Sequence, residues 1–234
     1  MTSGSAKKRA EAARKALAAA NKRDRRRRHL FSYSMVGLVV LIVVGVVLAV
    51  TLTRGSSPAA ASGIPTTPAA TAQGDPNPPP WAAPADATTR VKAAGLPMLD
   101  NEGEVVHIHA HLDVIVDGKP VTVPAGVGID QNTGQLSPLH THDTSGVIHV
   151  ESPVQAEFSL GQFFTEWDVS LAADHLGSLQ AGNDKVLQAY VNGLPVQGDP
   201  AAIVLHAHDE IALVYGTATQ QTSPPATYTF PAGL

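Results

Sequence analysis

Apolar and polar side chains alternate along residues 105–116, VVHIHAHLDVIV: Val106, Ile108, Ala110, Leu112, Val114 and Val116 take one parity, and His107, His109, His111 and Asp113 the other. A period of two predicts a strand with one buried face and the histidines on the opposite face. Asp117-Gly118 follows as a two-residue hairpin turn, with a return strand over 119–123 that Pro120 and Pro124 keep short or at an edge. In LSPLHTHDTSGVIHVES (136–152), Asp143 and Gly146 stand at the first and fourth positions of a type I turn. Strands pairing symmetrically about that turn set His142 opposite Val147, Thr141 opposite Ile148 and His140 opposite His149. His140, His142 and His149 then share one face, with Glu151 joining at its far end, while Leu139, Thr141, Ile148 and Val150 share the other. Ser159 and Gln162 form an S-x-x-Q capping box that opens a short helix through Phe163, Phe164 and Trp167, whose aromatic side is expected on the sheet. VLQAYV, closed by Asn192-Gly193, and IALVYG, ending at Gly216, supply two further strands.

Upstream the pattern changes. No charge falls between residues 30 and 53, and 35–52 reads MVGLVVLIVVGVVLAVTL, long enough as a helix to cross a hydrocarbon core of about 30 Å. This run exceeds the roughly 7 to 15 apolar residues of a cleaved signal peptide, so an uncleaved transmembrane helix is expected over 31–53. Residues 54–88 hold eight of the 18 prolines, with only Arg54, Asp75 and Asp86 as charges. No apolar face can form there, and a disordered Pro/Ala-rich linker is expected, extended enough to act as a stalk. The folded unit is expected over 89–217 and a flexible tail over 218–234. The fold class that follows is mainly β (α+β), built of antiparallel hairpins with one short packed helix.

Charge sharpens the topology. Residues 1–30 carry eleven Lys/Arg against Glu11 and Asp24, whereas 55–234 carry four Lys/Arg against 18 Asp/Glu. The basic cluster Lys22, Arg23, Arg25, Arg26, Arg27 and Arg28 precedes the apolar run, and only Arg54 follows it closely. The positive-inside rule places the N-terminus in the cytoplasm and everything beyond Arg54 outside a cell membrane crossed once. The basic head is suited to anionic lipid. An aromatic content of 5% gives little support for base stacking, so nucleic acid is not favoured.

The chain has no cysteine, which excludes disulfides, thiolate zinc sites and a thiol nucleophile. It has ten histidines, nine of them beyond residue 100. Two imidazoles in an HxH on one strand lie on one face near enough to chelate an ion, and a third from the neighbouring strand completes a set. His140, His142 and His149 are therefore the leading metal ligands, and His107, His109 and His111 supply further ligands or a second site. His206 and His208 form a weaker HxH, because LHAHDEIAL also reads as a tight turn with His208-Asp209 at its apex. Asp143, Glu151, Asp113 and Glu157 are candidate outer partners that fix ring tautomers. His175 is isolated, and His29 belongs to the basic head. An imidazole-rich, thiol-free set with Met98 as the one methionine beyond the apolar run suits Cu(II) or Zn(II) better than Cu(I).

Known metal signatures fit incompletely. Gly134, His140 and His142 match the start of a cupin motif, but Gly146 and Val147 stand where its Glu is required. The metallo-β-lactamase pattern fails at Thr144 and Ser145. HIHAHLDVIVDG, LHTHDTSGVIHVES, FSLGQFFTEW, YVNG and HAHDEIALVYG together resemble a group of bacterial and archaeal membrane-anchored or exported proteins with no established activity. The resemblance covers most of 105–216 and implies a recurring fold outside the membrane. Three functions are open at this point: metal capture, sensing or delivery through clustered histidines; a three-histidine metalloenzyme, hydrolase or cupin-like oxygenase; and a metal-free adhesion module on a stalk.

Overall fold

The computed structural model describes residues 62–221 and 223–234. The expected basic head and transmembrane helix lie outside the described residues, as does the linker before residue 62. Among the described residues no helix is long and apolar enough to cross a membrane.

The alternating segment folds as β1 (Val106–Val116), and Asp117 and Gly118, both with positive φ (52° and 75°), turn the chain into β2 (Lys119–Val121). β3 (Leu139–His140) and β4 (Val147–Ser152) follow, then the helix α2 (Leu160–Trp167), preceded in the chain by α1 (Ala87–Ala93). β5 (Leu171–Ala172), β6 (His175–Leu176) and β7 (Leu179–Gln180) form a small separate sheet. β8 (Lys185–Val191), β9 (Leu194–Val196) and β10 (Glu210–Thr217) complete the main one. Its strand order is β3-β4-β1-β10-β8-β9, with β2 paired to β1.

The fold is mainly β, as expected, and among the described residues it has a mixed sheet and two α-helices where antiparallel hairpins and one short helix are expected. β1 and β10 run parallel, Leu112 beside Ile211 and Val114 beside Leu213. Hairpin turns encode antiparallel neighbours locally. The parallel partners stand 99 residues apart at His111 and Glu210, and such a pairing needs a long crossover that carries no short-range signal.

One face of the sheet builds the core. Leu112, Val114, Leu139, Ile148, Val150, Ile211 and Leu213 are buried with Phe158, Leu160, Phe163, Phe164 and Trp167 of the α2 region. The capping box forms as expected: the Gln162 backbone N–H donates to Ser159 Oγ and the Ser159 N–H to Gln162 Oε1, both at 3.1 Å. Asp168 in the left-handed region (φ 62°) ends the helix.

Three boundaries differ from expectation. β3 stops at His140, because Thr141 leaves the ladder: its N–H donates to the Val127 carbonyl and its hydroxyl to that of Pro124. The pairs Leu139–Val150 and His140–His149 form, whereas those expected for Thr141 and His142 are absent from the ladder. From residue 62 the expected linker is instead a strap packed on the domain, with Ile64 and Trp81 buried. Gln73 N–H donates to Thr165 Oγ1 (2.8 Å) and Asp75 N–H to the Asp168 carbonyl (3.0 Å). Gly74 lies so close to Val169 that a Cβ would sit 2.3 Å from its backbone nitrogen. Arg90 of α1 ties the strap down, bonding the Thr165 and Gln73 carbonyls and pairing with Asp168 at 3.0 Å. The expected flexible tail also docks: Pro224 is buried, Tyr228 stacks on His111 at 3.8 Å and Phe230 on His208 at 4.8 Å.

The strap is testable. Trp81 meets Trp167 edge-on at 5.7 Å, so Trp81→Ala is expected to lower the unfolding free energy by about 3 kcal/mol in urea titrations. An unchanged midpoint would mark this stretch as a free tether.

Candidate metal centre

The ladder places three histidines in one row. His149 on β4 lies directly opposite His109 on β1 and directly opposite His140 on β3. Opposed residues share a face, so three strands deliver three rings to one spot. His107, two residues before His109, faces Glu151 across the same pair of strands. His142 completes the group from the loop beyond β3. The ring centroids of His149 stand 4.5 Å from His109, 4.6 Å from His142 and 5.2 Å from His140.

Hydrogen bonds fix which ring nitrogens are free. His140 Nδ1 donates to the Ser137 carbonyl (2.9 Å), which leaves the lone pair on Nε2. His149 Nδ1 donates to Glu151 Oε1 (3.0 Å), with the same consequence. His140 Nε2 and His142 Nε2 stand 3.1 Å apart. With bonds of about 2.0–2.1 Å to each nitrogen, that separation corresponds to an angle of roughly 100° at a shared ion. The donor atoms of His140, His142 and His149 all lie within 4.8 Å of one another, as do those of His107, His109 and Glu151, and those of Glu102, His140 and Glu151.

The cluster is both buried and under-satisfied. His109, His140, His149 and Glu151 are buried, whereas the side chains of His107 and His142 are 48% and 46% exposed. His109 Nε2 and Glu151 Oε2 have no hydrogen-bond partner. Each such atom costs about 1–3 kcal/mol when left unpaired, and a cation would recover that cost. Burial pushes His109 down to about 4, helped by the neighbouring His149 and His107 rings. Burial likewise pushes His140 down to about 4, against the pull of Glu151. Both rings are neutral at pH 7. Burial opposes the Glu151 carboxylate, but the His149 hydrogen bond and the surrounding imidazoles hold its pKa below the usual range.

Two clefts reach this face. One of about 580 Å³ is lined by His142, Glu102 and Thr141, and the other, about 410 Å³, by His107, Glu102 and Glu104. The two exposed imidazoles are thus the points of entry.

Other candidates are placed differently. Glu151, expected at the far end of the face as an outer partner, lies among the rings. His111 points to a separate group: its Nδ1 meets Glu210 Oε2 at 2.7 Å and its Nε2 donates to the Ser145 carbonyl at 2.8 Å. Burial would lower the pKa of His111, but the bond and charge of Glu210 raise it overall. Asp113 joins His111 and Glu210 in that group, away from the His140 set. Asp143 accepts from the Ser145 N–H (2.8 Å) and shapes the turn, and Glu157 is exposed. The turn reading holds for His206 and His208: Asp209 accepts from the His206 N–H, His208 has φ 62°, and neither joins a metal-capable group among the described residues. His175 is bonded to Ser170 Oγ (2.6 Å) and Asp174 (2.7 Å) on the small sheet. Sequence reasoning missed Glu102, 3.5 Å from His142, and Glu210. The first is a loop residue without spacing to the motif, and the second reaches His111 only through the parallel pairing.

The fold and site define a mainly β protein with a mixed sheet, whose histidine and glutamate side chains are grouped so that they can hold a metal ion. The chain matches no protein-family model, and comparisons with curated proteins and with solved structures return no match.

The neutral rings set a pH response. Between about pH 4 and 6.5 the unfolded chain carries protons on His109 and His140 that the folded chain does not. Their contribution to stability is therefore complete above 6.5 and is lost as pH falls towards 4. In the metal-free protein, NMR titration is expected to place both ring midpoints near pH 4, and His140→Gln to flatten the acid-side loss of stability. Midpoints near 6.5 would contradict the packing described.

Proposed function

We propose that this is a single-pass membrane protein whose extracytoplasmic domain binds a transition metal ion, Cu(II) or Zn(II), for capture, sensing or delivery. The observation that carries the reading is the convergence of His140, His142 and His149, with donor atoms within 4.8 Å of one another and the Nδ1 atoms of His140 and His149 already committed, so that the Nε2 lone pairs of those two rings are left for an ion. Neutral imidazoles with a carboxylate partner suit borderline divalent ions, and the His149–Glu151 bond is the kind of outer contact that orients a ligating ring. The apolar run over 31–53 and the basic head before it support the membrane placement, and the acidic balance of residues 55–234 favours cations outside.

One observation favours a metalloenzyme as the second reading. Glu102 presents a carboxylate at the mouth of both clefts, 3.5 Å from His142 Nε2, where a general base for a metal-bound water would stand. In that case hydrolysis would be lost in Glu102→Gln while metal affinity is kept.

Metal binding is measured by competing Zn(II) or Cu(II) between the full chain in detergent and a chromophoric chelator. His140→Ala/His142→Ala is expected to weaken binding at least about 100-fold, and Glu151→Gln about 10–100-fold. Affinity should fall as the pH drops through the imidazole range, since ligand rings must be neutral. Equal affinity in the double variant would refute this assignment.

A further inference from the structure

The histidine cluster offers more donors than one ion can use. Five imidazoles and two carboxylates border it, and two compact sets of their ligating atoms share no residue: His140, His142 and His149 form one, and His107, His109 and Glu151 another, with Glu102, His140 and Glu151 spanning them. We infer that the centre is dinuclear, with a second ion held by His107, His109 and Glu151 and with the Glu151 carboxylate bridging the two positions. This rests on the reading that the first set binds metal, and extends it.

Three observations carry the second position. One of its buried donors is unpaired: His109 Nε2 lacks a partner although the residue is more than nine-tenths buried. The first set does not absorb that nitrogen, because its own rings are oriented by Ser137 and by Glu151 Oε1, while the unpaired Oε2 faces His140. The carboxylate also spans the two sets. Oε1 stands 3.4 Å from His107 Nε2 and 3.9 Å from His109 Nε2, while Oε2 stands 3.8 Å from His140 Nε2. Paired ions in such sites commonly stand about 3.5–4 Å apart and share a bridging ligand. Finally, each position has its own entrance, since one cleft reaches His142 and the other His107.

The register explains why the sets adjoin. His109 faces His149 and His107 faces Glu151, so the two histidines of the second set are the β1 side of cross-strand pairs whose β4 members are His149 of the first set and the shared Glu151. The bridging residue lies on the strand shared by both. A substitution at Glu151 therefore touches both ions, whereas one at His107 touches the second alone.

The test is stoichiometry. The full chain in detergent is dialysed against Zn(II) and the bound metal is counted by mass spectrometry. Two ions per chain are expected, falling to one in His107→Ala/His109→Ala and also in the milder His107→Gln. Loaded with Cu(II), the wild type should show a half-field transition in its EPR spectrum, and Glu151→Gln should not. One ion in the wild type would overturn the second position and leave the proposed function standing; none would remove both. A count of two that is insensitive to His107 and His109, or that falls to one in His206→Ala, would place the second ion elsewhere and overturn the assignment. Two Cu(II) ions without a half-field transition would overturn the bridge.

Discussion

His149 is held between two other histidines because β4 lies between β3 and β1, with a register that sets all three rings in one row. A slip of one residue in either ladder would turn a ring to the opposite face and dissolve the cluster. That register depends in turn on the apolar partners of the same strands. Ile148 and Val150 on β4, Leu139 on β3 and Leu112 on β1 must face the α2 aromatics for the core to close. The packing that stabilises the fold therefore fixes where the imidazoles stand, and no loop has to be ordered to bring His109, His140 and His149 together.

Such a row opposes folding in the absence of an ion. His109 and His140 are buried and neutral, Glu151 is buried and ionised, and two of their polar atoms are unpaired. Buried polar atoms in folded proteins are nearly always satisfied, so two unpaired atoms within one group of titratable side chains, His109 Nε2 and Glu151 Oε2, point to function. The contrast with His111 is instructive. It lies on the same strand and parity, yet both of its nitrogens are satisfied, by Glu210 and the Ser145 carbonyl, and its ring is covered by Tyr228. A histidine whose needs are met is part of the scaffold. His109, whose Nε2 is unmet, lies beside Glu151 instead.

Much of this is legible in the sequence wherever the determinant is local. Alternation gives β1, Asp117-Gly118 and Asn192-Gly193 give the two-residue turns, Ser159 and Gln162 give the helix start, and the Asp143 turn gives the pairing of His140 with His149. What is not legible rests on distant contacts. The parallel partner of β1 has no local mark. The strap from residue 62 lacks periodicity because it is held by single anchors, Ile64 and Trp81, and by backbone bonds. The tail is read as free because Tyr228 and Phe230 find their partners, His111 and His208, only across the folded sheet. Within the site, residues on the two ladders are recoverable from parity. Glu102 and Glu210 are not, since a loop and a parallel neighbour bring them in.

The core and the site are also joined through the sheet. Glu166 of α2 is fully buried, and burial raises its carboxyl well above the usual range, which disfavours its charged form. It accepts the Ser137 hydroxyl at 2.6 Å, and the Ser137 carbonyl in turn accepts from His140 Nδ1. The Leu139 N–H donates to the same Ser137 hydroxyl at 3.1 Å. The short segment before β3 is thus clamped from the core side by a carboxyl whose burial works against its charge. An ionised carboxylate at that depth would demand a cation in the core. Through Ser137 this carboxyl orients the His140 ring from the core side, while the carboxylates that face the imidazoles are Glu151 and Glu102.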